Sequence, residues 1–172
     1  MTADELRAVV RRSDSLAAIR AAAATGALAV LLPTPFFDHV AAVYARLECT
    51  LAATDDDAWP LKLAVLVHEE PPRDAATLLA RAGFGDVSGL VERVLAGFGA
   101  IWKARTDDDV AAYVRAEAAH LAELLRFEVA HEGGVTAAMI DAARLAGLEA
   151  ALATWTRRLA DPDRDADTRE YA

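Results

Sequence analysis

The chain has 172 residues, of which 55% are hydrophobic, and 27 acidic against 18 basic residues give it a formal charge of −9. This length suits one domain with its own core, and the acidic balance argues against a nucleic-acid partner, because phosphate binding needs clustered positive charge. Its only cysteine, Cys49, excludes an internal disulfide, and without a signal-peptide pattern or a long apolar run we expect a cytoplasmic protein with no membrane span.

Abundant alanine and scarce β-branched runs predict an all-α fold. In the first half, glycine and proline separate the expected helices. Ser13 or Ser15 can cap a helix that stops at Gly26, and a short apolar piece then ends at Pro33. The segment 35–57 has apolar residues at helical spacing, which indicates a long amphipathic helix with one solvent-exposed face.

The segment 59–70 is apolar on all sides until it reaches His68 and two glutamates, and two prolines then end it. A helix that is apolar all round is typical of the buried centre of a helical domain. We therefore expect this to be the central helix, with an imidazole and two carboxylates where it ends.

In the second half, Asp74 can cap a helix that Gly83 ends. The next helix, 86–104, carries three glycines, Gly89, Gly97 and Gly99. Glycine weakens a helix unless another backbone packs closely against it, so we expect close helix packing here. The same face could pair with a second copy, which makes a homodimer an expectation.

The segment 106–132 is predicted to be one helix, capped by Thr106 or an aspartate and ended by two glycines. A last helix covers 135–160, and residues 161–172 are expected to form a mobile tail. The result is a single domain, 1–160, of about six or seven helices. Eight residues are predicted to lie in its core: Val43, Leu47, Leu63, Val65, Leu66, Val67, Leu121 and Leu124.

Several kinds of active site have no sequence signature in this chain. Neither a phosphate-binding P-loop nor a glycine-rich turn between a strand and a helix is present, and no serine stands in a nucleophile elbow. Of the four histidines, His131 is interpreted as complementing the dipole of a helix end, and His120 as a half-buried packing residue.

The other two histidines suggest a metal site. His39 opens one helix and His68 closes the next, and consecutive helices joined by a short turn run antiparallel. The two imidazoles, with Glu69, can therefore converge although 29 positions separate them. A divalent ion held there would lower the pKa of a bound water enough for attack on a phosphate.

This arrangement resembles the HD domain of metal-dependent phosphohydrolases, which is defined by a histidine, a later His-Asp pair at a helix end and a final aspartate. The wider sequence resembles the helical HD-like region of tRNA nucleotidyltransferases of the CCA-adding and poly(A) polymerase type. The resemblance covers about residues 13–150. Its segments are SLAAIRAAAATGALAVLLPTP, DHVAAVYARLE, LKLAVLVHEEPPRDAATLLARAGF, VERVLAGF and DDDVAAYVRAEAAHLAELLRFEVAHEG.

The resemblance implies a set of four metal ligands. His39 matches the first histidine, His68 matches the histidine of the pair, and Glu69 stands where the family has aspartate. The nearest candidates for the final aspartate are Asp107, Asp108 and Asp109, of which we assign Asp108. The chain departs from the family where Glu70-Pro71-Pro72-Arg73 replaces the usual small turn and histidine-containing loop, and it has no nucleotidyltransferase head.

These departures make the leading interpretation a degenerate HD-like domain without a cofactor, which binds an unknown protein partner or a small phosphorylated ligand. The alternative is an HD phosphohydrolase that uses Mn²⁺, Mg²⁺ or Zn²⁺ on nucleotides or related phosphoesters. An RNA-binding helper domain is a second alternative. A His68 bonded to a backbone carbonyl or to its own helix end would favour the degenerate site, whereas His39, His68 and a carboxylate meeting at a metal ion, with bonds of about 2.0–2.2 Å, would favour the enzyme.

Overall fold

Helices and turns make up residues 1–51 and 58–161, the parts of the chain that this computed structural model describes, and no strand occurs in these ranges. The predicted all-α fold is confirmed. The acidic end of the segment 35–57 and the predicted tail, apart from Asp161, lie outside the described residues. The helices are α1 Ala3–Val10, α2 Leu16–Ala24, α3 Ala27–Leu31, α4 Asp38–Thr50, α5 Trp59–Val67, α6 Pro72–Leu79, α7 Gly85–Gly97, α8 Asp107–Glu117, α9 Leu121–Glu132, α10 Ala137–Ala146 and α11 Glu149–Ala160.

The described residues form more and shorter helices than the six or seven expected, because α1 was not predicted, the segments 106–132 and 135–160 are each divided, and the segment 86–104 ends early. The predicted last helix, 135–160, is corrected to α10 and α11, which are separated at Gly147, where φ is +70°. The segment 106–132 breaks at Ala118–His120 into α8, which packs on α10, and α9, which packs on α4. The segment 86–104 leaves α-helical geometry after Gly97, and a 3₁₀ turn follows at Ile101–Lys103. Gly99 has a φ of +78°, a conformation that glycine adopts at little cost and that a helix cannot contain.

The predicted position of α5 is confirmed, since every residue from Trp59 to Val67 is buried. All eight predicted core residues are buried as well, within one apolar cluster that runs from α1 to α11. Burial of apolar side chains removes their surface from water, which is the main favourable contribution to folding. No helix in the described ranges is long and apolar enough to cross a membrane.

Lys62 is the one charged residue of α5, and it is fully buried like its apolar neighbours. Its ammonium donates to the carbonyl of Arg12, to Ser15 Oγ at 3.0 Å and to Glu48 Oε1 at 2.8 Å. Ser15 Oγ also shares a 2.7 Å hydrogen bond with the hydroxyl of Tyr44. The buried charge is therefore paired and hydrogen-bonded, as a charge in low dielectric requires.

The same network caps α2 in a way that the sequence did not predict. Ser15 occupies the N-cap position but makes no side-chain cap bond. Instead Glu48 of α4 accepts the backbone N–H of Ser15 at 2.6 Å and that of Leu16 at 3.2 Å. A carboxylate at the positive end of α2 satisfies amides that would otherwise lack partners, so the predicted serine cap is corrected to a carboxylate cap from another helix.

Candidate metal centre

The end of α5 presents His68 and Glu69 at the surface because two prolines follow. Proline disfavours α-helical geometry in the residue before it, so the helix cannot continue past Glu70. Pro71 adopts φ −54° and ψ 142°, and Pro72 then opens α6, where proline is well tolerated. Asp74 lies in the first turn of α6 and is not its cap, which corrects the prediction for this helix start.

The structure brings His39, His68 and Glu69 together, with one ligand atom from each within 4.8 Å of the others. His39 lies in the first turn of α4 and His68 is the C-cap of α5, so the antiparallel arrangement expected from the sequence places them side by side. His39 Nε2 lies 2.6 Å from Glu69 Oε1, and His68 Nε2 lies 3.3 Å from the same oxygen. One carboxylate oxygen thus stands between the two imidazoles.

His68 is held in one orientation by its own helix. Its Nδ1 donates to the carbonyl of Val65 at 2.7 Å, and its side chain is only 6% exposed. Because Nδ1 is bonded to Val65, Nε2 is the ring nitrogen that faces Glu69, and its unprotonated form is the one that can bind a metal ion. Metal-bound histidines commonly donate their other N–H to a backbone carbonyl in this way. The bond to Val65 therefore fits a working ligand as well as a remnant, and it does not discriminate between the two interpretations.

Glu69 is ionised at neutral pH. Its hydrogen bond to His39 lowers the pKa of the carboxyl below its usual value, and the nearby imidazoles of His68 and His131 act in the same direction. An ionised carboxylate is the form that coordinates a metal ion.

His131 is a member of this neighbourhood that the sequence did not indicate. Its ring lies edge-on to that of His68, with 5.8 Å between the centroids, and against Phe98 at 4.5 Å. Burial lowers the pKa of His131, and proximity to His68 adds to this effect. The terminal carbonyls of α9 are bound instead by Arg46, which donates to Ala130 and to His131. The helix-dipole interpretation of His131 thus missed the contact with His68, which depends on how α9 crosses α4 and has no local sequence signal.

Aromatic side chains lie on both sides of the imidazoles. Phe37 stacks on His39 with centroids 5.6 Å apart, and Trp102 lies 5.8 Å from His131. Both remain partly exposed, at 53% for Phe37 and 36% for Trp102. His39 and Glu69 are themselves 54% and 45% exposed, so the cluster is accessible to solvent.

Asp108, the fourth ligand assigned from the resemblance, is not part of the cluster. It is exposed in the first turn of α8, whose start is fixed by a capping box between Thr106 and Asp109. Acidic residues at this position stabilise the positive end of a helix. His120 also lies outside the cluster, at the turn between α8 and α9.

Comparison with protein-family models, with curated proteins and with solved structures finds no match in any of the three. The resemblance to the HD domain therefore stays a prediction from the sequence, and the function has to be argued from the cluster itself.

Proposed function

We propose that this protein binds a divalent metal ion through His39, His68 and Glu69 and hydrolyses phosphoesters there. The observation that supports this proposal is the convergence of the three side chains at the end of α5. Two histidines and a glutamate are a ligand set of known hydrolytic zinc sites, which leave one further position open for water or substrate. The degenerate interpretation rests on the departures from the family's ligands, and the position of Glu69 beside both imidazoles supports a set of three.

Zn²⁺ fits this donor set better than Mg²⁺ or Mn²⁺. Imidazole nitrogen is a good ligand for zinc, whereas Mg²⁺ prefers oxygen ligands and retains its waters. Tetrahedral zinc with bonds of about 2.0–2.1 Å separates its ligand atoms by about 3.3 Å. The distance from His68 Nε2 to Glu69 Oε1 is already 3.3 Å. The 2.6 Å contact between His39 and Glu69 must lengthen, which two half-exposed side chains can do without repacking the core.

The chemistry follows from these ligands. A bound divalent ion polarises a phosphoryl oxygen and lowers the pKa of a coordinated water. Attack of water at the phosphorus of a phosphoester held there would break the bond to the alcohol oxygen, and the alcohol would leave with a proton from solvent. The bond to Val65 holds Nε2 of His68 toward Glu69, where it would bind the ion, and the charged carboxylate of Glu69 would balance part of the ion's charge.

Hydrolysis of 4-nitrophenyl phosphate by the purified, zinc-loaded protein tests this function. We expect turnover that chelation abolishes, and a fall of about 100-fold or more in kcat/KM for His39→Ala and for Glu69→Gln, since even outer partners of metal ligands cost about 10–100-fold. The matched control is His120→Ala, which removes a histidine outside the cluster and should leave turnover unchanged. Metal binding without hydrolysis of any phosphoester would contradict the enzyme and favour a non-catalytic binding module.

A further inference from the structure

A groove of about 510 Å³ lies between α2, α3 and the start of α4, next to the ligand cluster. Its volume is in the range of small-molecule sites, about 300–1,000 Å³. It borders the cluster through Phe37, which both lines the groove and stacks on His39. Thr34, which also lines it, donates to the carbonyl of Leu66, two residues before His68. The groove and the cluster therefore share the segment that leads from Thr34 into α4.

The lining of the groove is mainly apolar. Apart from Arg20, Thr34 and Asp38 it consists of alanine, leucine, proline and phenylalanine side chains. The hydroxyl hydrogen of Thr34 is already donated to Leu66. The edges of a nucleobase carry several donors and acceptors, and burying them beside such side chains would leave most of them unpaired, which is costly.

The groove is lined by two charged residues, the basic Arg20 and the acidic Asp38. Arg20 makes no ion pair with any residue in the described ranges, so its guanidinium is available to an anionic ligand. Asp38, the acidic residue of the groove, precedes His39 in the first turn of α4. The groove thus suits a ligand with an apolar body and an anionic group.

We infer that the substrate of the proposed hydrolase is an amphipathic phosphoester, whose compact apolar group occupies this groove while its phosphate reaches the cluster of His39, His68 and Glu69. This inference rests on the proposed function and adds the substrate class. It favours aryl or branched alkyl phosphates over nucleotides.

The test uses phosphonates, which the enzyme cannot hydrolyse, and isothermal titration into the zinc-loaded protein. The probes are methylphosphonate, naphthylmethylphosphonate and the phosphonate analogue of adenosine monophosphate. We expect the naphthyl probe to bind about tenfold or more tightly than the methyl probe, because the ring leaves water for an apolar surface. The adenosine probe is expected to bind more weakly than the naphthyl probe.

Two neighbouring residues of α3 provide matched variants. Ala29 lines the groove, whereas Val30 is 84% exposed and does not. Ala29→Glu and Val30→Glu change the charge of the protein equally, so long-range repulsion of the anionic probes is the same in both. Only Ala29→Glu should remove the advantage of the naphthyl probe over the methyl probe, and zinc binding should be retained in both.

The outcomes separate this inference from the function on which it rests. If zinc binds but the naphthyl and methyl probes bind equally, or the adenosine probe binds most tightly, the substrate class is wrong and the metal centre stands. If Ala29→Glu and Val30→Glu reduce the advantage of the naphthyl probe equally, the groove is not the binding site of the apolar group. If the protein does not bind zinc, the proposed function itself fails.

Discussion

Lys62 shows how one residue ties three helices together. Its ammonium bonds Glu48 of α4, Ser15 at the start of α2 and the carbonyl of Arg12. We predict that Lys62→Met lowers the free energy of unfolding by about 3–5 kcal/mol, because Glu48 is then left buried without its counter-charge. Urea denaturation measures this loss.

The double variant Lys62→Met with Glu48→Gln distinguishes the lost ion pair from lost packing. Removing both charges should cost less than the sum of the two single changes, since contacting residues couple. Strict additivity would show that Lys62 contributes through packing alone.

Glu128 is the second buried ionisable residue whose role can be tested. It is fully buried in α9, its Oε1 accepts the N–H of Gly99 at 2.6 Å, and its Oε2 has no hydrogen-bond partner in the described residues. Burial raises the pKa of Glu128 from 4.5 to about 8. Because the folded pKa is the higher one, its favourable contribution is complete below pH 4.5 and disappears as the pH rises through 8.

We therefore predict that the wild-type protein loses stability between pH 5 and 9, and that Glu128→Gln loses much less. Glutamine keeps an acceptor for Gly99 and cannot ionise. Each pKa unit corresponds to about 1.4 kcal/mol, so the difference at pH 9 should reach several kcal/mol. Glu149→Gln makes the same chemical change at an exposed site and should follow the wild-type pH profile. Parallel profiles for Glu128→Gln and the wild type would contradict the assignment.

At the scale of elements, the glycines of α7 have different roles. A Cβ added to Gly97 would lie 2.7 Å from Leu124 and 3.2 Å from Glu117, whereas one added to Gly89 would meet nothing within 4 Å. We predict that Gly97→Ala destabilises the protein by about 1–3 kcal/mol through overpacking. Gly89→Ala should stabilise it by about 0.5–1 kcal/mol, because alanine favours the helix. Thermal or urea unfolding of the two variants, measured side by side, checks the opposite signs.

The close packing predicted for these glycines thus holds at Gly97 and fails at Gly89. Spacing alone could not separate them, because the difference depends on where Leu124 of α9 lies. The same limit explains the break at Ala118–His120, where the local pattern favours one helix and the packing of α8 on α10 and α9 on α4 favours two. Periodicity predicted most of the helices but not α1, and the break at Gly147 was missed although glycine is a local signal for a helix end. The break at Ala118–His120 has no such signal and depends on tertiary contacts.

The sequence predicted the position of the candidate site better than it predicted the helix breaks, because the site lies at helix ends that the sequence marks. Two prolines fix the end of α5, and the antiparallel rule places the start of α4 beside it. The carboxylate of Glu69 completes the group as expected. The assignment of Asp108 came from the resemblance alone, and the contact of His131 with His68 required the crossing of α4 and α9.

At the scale of the whole molecule, the apolar cluster supports both the fold and the site. α5 is buried along its length and ends at the ligand cluster, so the core fixes where His68 stands. A homodimer remains a prediction.

The central claim is that His39, His68 and Glu69 hold one divalent ion, and a zinc titration of the purified, metal-free protein tests it most directly. Isothermal titration should give one site per chain in the wild type and in His120→Ala, and no such site in His39→Ala or His68→Ala. Circular dichroism of each variant checks that the helices are retained. Absence of zinc binding by the wild type, or equal binding by all four proteins, would contradict the metal centre.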